Sequence, residues 1–252
     1  GIYGNEKGFK KNIRLFFLSL ADDLLLYENK AKNLLIQNRF SQDHLHVIYN
    51  SINLKEQTKV YQKLLKIKKH VKKQKFHNLI FFGRLTKVKK VELLIPALFK
   101  LNQNKVKYIL KIFGEGPEKQ YLKLLIKHYQ AEEYILLEKE TFVEEEIGKL
   151  FFDSDMLVSP GNVGLNAVHA LCYGTPVLTH NNFGNQMPEH EVIEENCNGS
   201  FHLENDIDNI AEKIEDWFKN QHQGYSREKA RKALIKNYNP DTQVRIFEEI
   251  LK

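Results

Sequence analysis

Met156-Leu157-Val158-Ser159-Pro160-Gly161-Asn162-Val163-Gly164-Leu165-Asn166-Ala167-Val168-His169-Ala170-Leu171-Cys172-Tyr173-Gly174-Thr175-Pro176-Val177-Leu178-Thr179 is the stretch whose reading decides the fold. Met156–Ser159 is a short apolar run and reads as a buried strand. It ends in a glycine-containing loop, and a helix opens at about Gly164 and runs over Leu165–Tyr173. Val177–Thr179 is again strand-like. Strand, helix, strand at such short spacing implies two parallel strands joined by a helical crossover.

The same alternation extends upstream. Leu79–Phe82 is a short apolar run ending at Gly83, and Val91, Leu94, Leu98 and Leu101 follow at helical spacing. Tyr108–Phe113 is a strand closed by Gly114, and Pro117 stands where a first helical turn accepts it, ahead of Tyr121, Leu122, Leu125 and Tyr129. Tyr134–Leu137 reads as a strand and Glu144–Phe152 as a helix. After Pro188 the pattern is mostly helical, with candidates at 206–220, 226–236 and 240–252. The expected fold class is α/β, a Rossmann-like parallel sheet with helices on both faces.

The opening residues differ. Lys11–Leu20 and Asn29–Gln37 read as helices around a strand-like Leu24–Tyr27, and Val47–Tyr49 is a short strand before Asn50. This pattern is that of the tail of another α/β domain, a partial N-terminal unit. The expected divisions are 1–54 for that remnant, 55–76 for a basic helical linker, 77–238 for the main domain and 239–252 for a last helix. The start at Gly1 rather than Met reads as a piece of something longer.

Composition is ordinary for a globular protein, with 42% hydrophobic and 28% charged residues. The net charge of +6 is local in origin: residues 55–75 hold nine lysines against one acid, Glu56. The high pI therefore does not describe a protein-wide nucleic-acid surface. Cys172 and Cys197 form no CxxC pair, so neither a metal site nor a disulfide framework is expected. No apolar run is long enough to span a bilayer, and no secretory signal is read in the opening residues.

In parallel α/β sheets ligands bind beyond the carboxyl ends of the strands, so residues directly after strands are the candidates. Gly83-Arg84-Leu85-Thr86-Lys87-Val88-Lys89 sets two cations, Arg84 and Lys89, at that edge, where they could hold a diphosphate or simply face solvent. Gly114-Glu115-Gly116-Pro117 is a tight turn that lacks the third glycine of a dinucleotide fingerprint, so NAD is not indicated. Free amides at the helix opening near Gly164 suit phosphate, and His169, about one and a half turns on, could face the same ligand or serve the core. His180-Asn181-Asn182-Phe183 could line the pocket or satisfy loop backbone. Glu189 after Pro188 could touch a ligand or stand at a helix start for dipole reasons.

Taken in order, Gly83-Arg84-Leu85…Lys89, Gly114-Glu115-Gly116-Pro117, Ser159-Pro160…Gly164-Leu165, Gly174-Thr175-Pro176-Val177 and Pro188-Glu189 resemble the donor domain of GT-B glycosyltransferases of family 4, also called glycosyltransferase group 1. The resemblance runs over about residues 77–220; residues 1–53 resemble the end of the acceptor domain, and 240–252 the family's C-terminal crossover helix. It implies a UDP- or GDP-sugar donor, a glycan or lipid-linked acceptor, retention of anomeric configuration and no metal cofactor. Arg84 and Lys89 would neutralise the departing diphosphate in place of a metal ion. Gly83, Gly114, Glu115, Gly116, Asn162, Asn181 and the backbone of Val163, Gly164 and Leu165 would line the donor site. The family's Glu, seven residues, Glu pattern falls here on Gly161 and His169. The second Glu normally holds the ribose, where His169 offers a single hydrogen bond. The first normally contacts the sugar, where Gly161 offers none and Asn162 is the neighbour that could serve.

Pro-Gly-Asn-Val-Gly-Leu with a following His resembles a subgroup tied to surface polysaccharide assembly. The implied location is cytoplasmic, with peripheral contact on the inner face of the plasma membrane as a further reading. Phe16, Phe17, Leu18 and Leu20 beside Lys10, Lys11 and Arg14 would suit such contact, although a core helix with a solvated face is the simpler expectation. Two other functions remain open: a GT-B sugar-nucleotide epimerase, and a non-catalytic nucleotide-sugar-binding protein.

Overall fold

The computed structural model describes residues 8–67, 75–105, 107–220 and 225–252. The first part contains α1 (Phe9–Leu18), β1 (Leu24–Leu26), α2 (Asn29–Gln37) and β2 (Leu45–Val47), with β1 and β2 paired in parallel. Helix α3 (Leu54–Ile67) leads onward; residues 68–74 of the lysine-rich stretch lie outside the described residues. The main unit follows as β3 (His77–Phe82), α4 (Leu94–Asn102), β4 (Tyr108–Phe113), α5 (Lys119–His128), β5 (Ile135–Glu138), α6 (Glu144–Asp153), β6 (Met156–Ser159), α7 (Leu165–Cys172), β7 (Val177–His180) and β8 (Gly199–His202). Helices α8 (Ile207–Asn220), α9 (Arg227–Asn237) and α10 (Pro240–Ile250) close the chain.

All six strands of the main sheet are parallel, in the order β5-β4-β3-β6-β7-β8. The chain moves outward from β3 to β5, then returns to β6 beside β3, with Leu79 opposite Met156 and Ile80 opposite Leu157. That reversal opens a crevice between the loops after β3 and β6, the position where doubly wound sheets hold ligands.

The sheet is covered on both faces. Leu79 and Phe81 of β3 join a core with α4, α5 and α8, while Ile80 joins a second core with α6, α7 and α9. Period-two alternation thus buries both faces of the strand from Leu79 onward, which is why Leu79–Phe82 is apolar throughout. Helix α7 has five of its eight residues fully buried, since it lies between the sheet and α9. Ser226 caps α9 by accepting from the Lys229 amide, and Asn239 with Pro240 opens α10.

After Pro188 the chain is mostly helical as expected, with α8, α9 and α10 close to the three candidate spans, but the strand Gly199–His202, paired with β7 along its length, was not among the expected elements. One expectation fails. Helix α1 is not a core helix, for none of its residues is buried and Phe9, Phe16 and Phe17 are exposed. No helix among the described residues is long and apolar enough to cross a membrane.

Candidate functional site at the sheet reversal

The loop after β3 is anchored by Leu85, which is fully buried. Its amide donates to the Glu115 carbonyl at 2.8 Å, and its carbonyl accepts from the Glu118 amide at 3.1 Å. Gly116 has φ +154°, and a Cβ there would stand 2.3 Å from the Leu85 carbonyl oxygen. The Gly114–Pro117 turn therefore serves the backbone packing of the Arg84 loop, while the Glu115 side chain pairs with Lys119 four residues on. Gly83 continues the ladder, its amide donating to the Phe113 carbonyl at 3.0 Å.

From this anchored loop a single 3-10 turn, Lys87–Lys89, carries the chain across to the loop after β6. The Lys89 carbonyl accepts from the Gly161 amide at 3.0 Å, and the Lys89 ammonium donates to the Asn162 carbonyl at 2.7 Å. A Cβ on Gly161 would lie 2.1 Å from the Val88 carbonyl oxygen and 2.6 Å from Lys89 Cα. The position where the family pattern has its first Glu therefore has no room for any side chain. Burial, with the charge of Arg84 nearby, draws the Lys89 ammonium below the usual lysine range, and Glu189 opposes that shift. Arg84 itself is exposed, so the two cations share one neighbourhood in different degrees of hydration.

The opening of α7 is built differently from expectation. The Val163 amide donates to Gln186 Oε1 at 2.8 Å and the Gly164 amide to Asn166 Oδ1 at 3.0 Å. These two donors are thus already satisfied inside the chain. Among the described residues, the amides of Leu165 and Asn166 have no acceptor, and they stand as the open pair at the helix start. Asn166 also donates through Nδ2 to the Phe82 carbonyl at 2.9 Å, so one side chain joins the end of β3 to the start of α7. The Asn162 Oδ1 is buried without a partner among the described residues.

His169 points at α6. Its Nε2 lies 2.9 Å from Glu144 Oε1, with its ring 5.3 Å from that of Phe151 and 5.9 Å from that of Tyr173. The same carboxylate accepts from the Tyr173 hydroxyl and, at 3.0 Å, from Gln57 Nε2 of α3. Burial alone would raise the Glu144 carboxyl, but these hydrogen bonds and the His169 charge outweigh it and hold it below the usual carboxylate range. One of the two ring nitrogens of His169, Nε2, is thereby committed to Glu144 rather than to a ligand.

On the far side of the crevice, the Asn181 amide extends the β7–β8 ladder to the His202 carbonyl at 2.8 Å, and its side chain is exposed. His180 is buried, accepts from the Asn182 amide at 3.2 Å, and is pushed down to about 4 by burial. Asn182 donates to Glu204, which also pairs with Lys90 at 2.7 Å. Glu189 is only 4% exposed; its Oε1 accepts from Asn50 Nδ2 at 2.7 Å, whereas its Oε2 is buried with no partner among the described residues. Asn166, Gln186, Glu144 and Glu204 were not marked by the sequence, because each meets its partners through tertiary packing.

Solved structures share this architecture. A glycosyltransferase from Rickettsia africae ESF-5 superposes with a TM-score of 0.74 at 18% identity, over 99% of this chain and 68% of that one. The apo form of the lipopolysaccharide outer core galactosyltransferase WaaB gives 0.72 at 14% identity, over 92% of this chain and 62% of that one. A variant of S. aureus TarM in complex with fondaparinux, α-GlcNAc-glycerol and UDP gives 0.71 at 18% identity, over 98% of this chain and 48% of that one. The chain thus spans about half to two thirds of the length of these proteins. A comparison with curated proteins finds no match. The family model for glycosyl transferases group 1 matches residues 62–250, three quarters of the chain, and the protein belongs to that family.

Proposed function

We propose that this chain supplies the donor half of a retaining, metal-independent family 4 glycosyltransferase, which moves a hexose from a UDP- or GDP-sugar onto a glycan or lipid-linked acceptor in surface polysaccharide assembly. The observation that supports this is that Lys89, with the charge of Arg84 nearby, is bonded to the Asn162 carbonyl in the loop that leads into α7, whose first amides, on Leu165 and Asn166, have no acceptor among the described residues. Two cations beside a helix start form a site for a diphosphate. When the bond from the anomeric carbon to the diphosphate oxygen breaks, its electron pair leaves with the diphosphate, and Lys89 and Arg84 stabilise that growing charge. The acceptor oxygen takes the vacated bond on the same face, and its proton passes to an oxygen of the departing diphosphate. UDP is bound in the TarM complex, and WaaB is described as a lipopolysaccharide galactosyltransferase; both support the choice of donor and of product class.

One observation favours a second reading, a binding protein without transfer activity: the position aligned with the first family Glu excludes any side chain, and His169 is committed to Glu144. Both readings require nucleotide-sugar binding. At about 100 times its Kd, a UDP- or GDP-sugar should raise Tm by roughly 5–10 °C, whereas NAD and ATP should not. If no sugar nucleotide moves Tm, both readings fail. Transfer to a lipid-linked or glycan acceptor by the full-length protein separates them.

A further inference from the structure

Among the buried polar atoms without a partner in the described residues are two acceptors tied to Lys89, Asn162 Oδ1 in the loop after β6 and Glu189 Oε2, whose carboxylate acts on the Lys89 charge. Buried polar atoms are nearly always paired, so each such atom calls for a reason. Neither is remote from the cations. Asn162 holds Lys89 through its own carbonyl at 2.7 Å. Glu189 follows Gln186 by three residues, and Gln186 joins the loop after β6 to the end of β7, accepting from the Val163 amide at 2.8 Å and donating to the His180 carbonyl at 2.8 Å. Glu189 also acts electrostatically on Lys89, opposing the effects of burial and of Arg84. Asn50 grips its Oε1 and so fixes the carboxylate with its second oxygen free.

A diphosphate brings acceptors only and cannot satisfy these two atoms. A sugar brings hydroxyl donors. Resting on the donor-site reading above, we propose that Glu189, together with Asn162, reads the hydroxyl groups of the transferred sugar and so replaces the carboxylate for which Gly161 leaves no space. Glu189 thereby becomes the specificity-determining residue of the site, and Asn50 its positioning partner. Its role is binding and orientation of the sugar, with no proton transfer assigned to it.

The test measures affinity by calorimetry for UDP, UDP-glucose, UDP-galactose, UDP-N-acetylglucosamine, GDP and GDP-mannose, with wild type, Glu189→Gln and Asn162→Ala. Wild type should bind at least one sugar nucleotide more tightly than the free nucleotide. Glu189→Gln keeps the shape and an oxygen for Asn50, but removes the charge. It should erase at least about tenfold of that advantage, the worth of a charged hydrogen bond, while leaving free nucleotide within about twofold. Asn162→Ala gives the same split without touching Glu189 and serves where Glu189→Gln fails to fold. Equal losses for nucleotide and sugar nucleotide mark a structural role and overturn the proposal. An unchanged advantage in both variants, or no advantage in wild type for any sugar, overturns it as well. If wild type binds neither nucleotide nor sugar nucleotide, the donor-site reading itself falls and takes this proposal with it.

Discussion

The side-chain ammonium of Lys89 reaches across 73 residues of sequence to donate to the Asn162 carbonyl at 2.7 Å. This bond and the return bond from the Gly161 amide to the Lys89 carbonyl hold the loops after β3 and β6 together ahead of any ligand. Lys89 is therefore preorganised and half-buried, whereas Arg84 is exposed. A preorganised, dehydrated charge contributes more to binding than a hydrated one, and it is screened less by salt. Lys89→Ala should weaken UDP binding by about 10- to 100-fold at any moderate salt, the range of a charge-assisted hydrogen bond. Arg84→Ala should cost about 3- to 10-fold at low salt, and less at 0.5 M salt. Titration calorimetry at two ionic strengths checks both. Equal, salt-independent losses would contradict the ordering.

Gly161 is where the two loops come closest. The Cβ of an alanine would sit 2.1 Å from the Val88 carbonyl oxygen, against backbone that cannot rotate out of the way. Gly161→Ala should cost about 1–3 kcal/mol, lowering Tm by roughly 2–10 °C, and should displace the Lys87–Lys89 turn enough to abolish the ligand-induced shift. Gly164, three residues later, has open space where a Cβ would be, so Gly164→Ala should cost less. Thermal melts of the two variants with and without UDP make the comparison, and equal effects would contradict the steric account.

Glu144 ties three helices, accepting from Gln57 of α3, from His169 of α7 and from Tyr173 just beyond it, while standing on the first turn of α6. Its carboxyl is held below the usual carboxylate range in the folded state. A depressed folded-state pKa stabilises the protein above the unfolded value, near 4.5, and that contribution is lost as pH falls through the folded value. Glu144→Gln should therefore cost about 1–3 kcal/mol at pH 7, and the gap to wild type should narrow below pH 4.5. Tm measured from pH 3 to pH 8 reads this directly. A gap that stays constant across that range would show that the carboxylate charge is not what the network uses.

How much of this was readable beforehand differs by residue. The β6–α7–β7 unit was legible because Met156–Ser159 and Val177–Thr179 are apolar enough to be buried on both faces, and α7 between them carries helical spacing. β8 was not, because Gly199-Ser200-Phe201-His202 has one large apolar residue and gains its strand geometry from pairing with β7. The cations Arg84 and Lys89 were marked by their place after a strand, a local property. The amides of Val163 and Gly164 were misjudged, since a helix start can be satisfied by a side chain from elsewhere, and Gln186 is 23 residues away from the amide it serves. Asn166 meets the Phe82 carbonyl across 84 residues and Glu144 meets His169 across 25, so no local pattern marks either of them.

Glu204, just beyond β8, gathers the outer rim of the crevice. It accepts from Lys90 at 2.7 Å, from Asn182 at 2.6 Å and from Asn185 at 3.2 Å. The bond to Lys90, the largest influence, and those from the two asparagines bring its carboxyl down to about 2, against the opposing effect of burial. Lys90 itself sits at φ 51°, a left-handed conformation that a lysine adopts only when its surroundings hold it there. Glu204→Ala removes the shared acceptor from the loops after β3 and β7 at once. Amide hydrogen exchange across 87–90 and 181–186 should then accelerate together by about tenfold or more, as loss of a charged hydrogen bond lowers the local opening energy. Glu204→Gln, which keeps an acceptor but not the charge, should fall between that variant and wild type. The wild-type protection of these loops should begin to fade as pH falls below 4.5 and be lost by about pH 2, because between those values the opened state takes up a proton on Glu204 that the folded state does not. Acceleration confined to 181–186, with 87–90 unchanged, would mean that the Lys90 turn is held by its own backbone and that Glu204 does not shape the Lys89 side of the site.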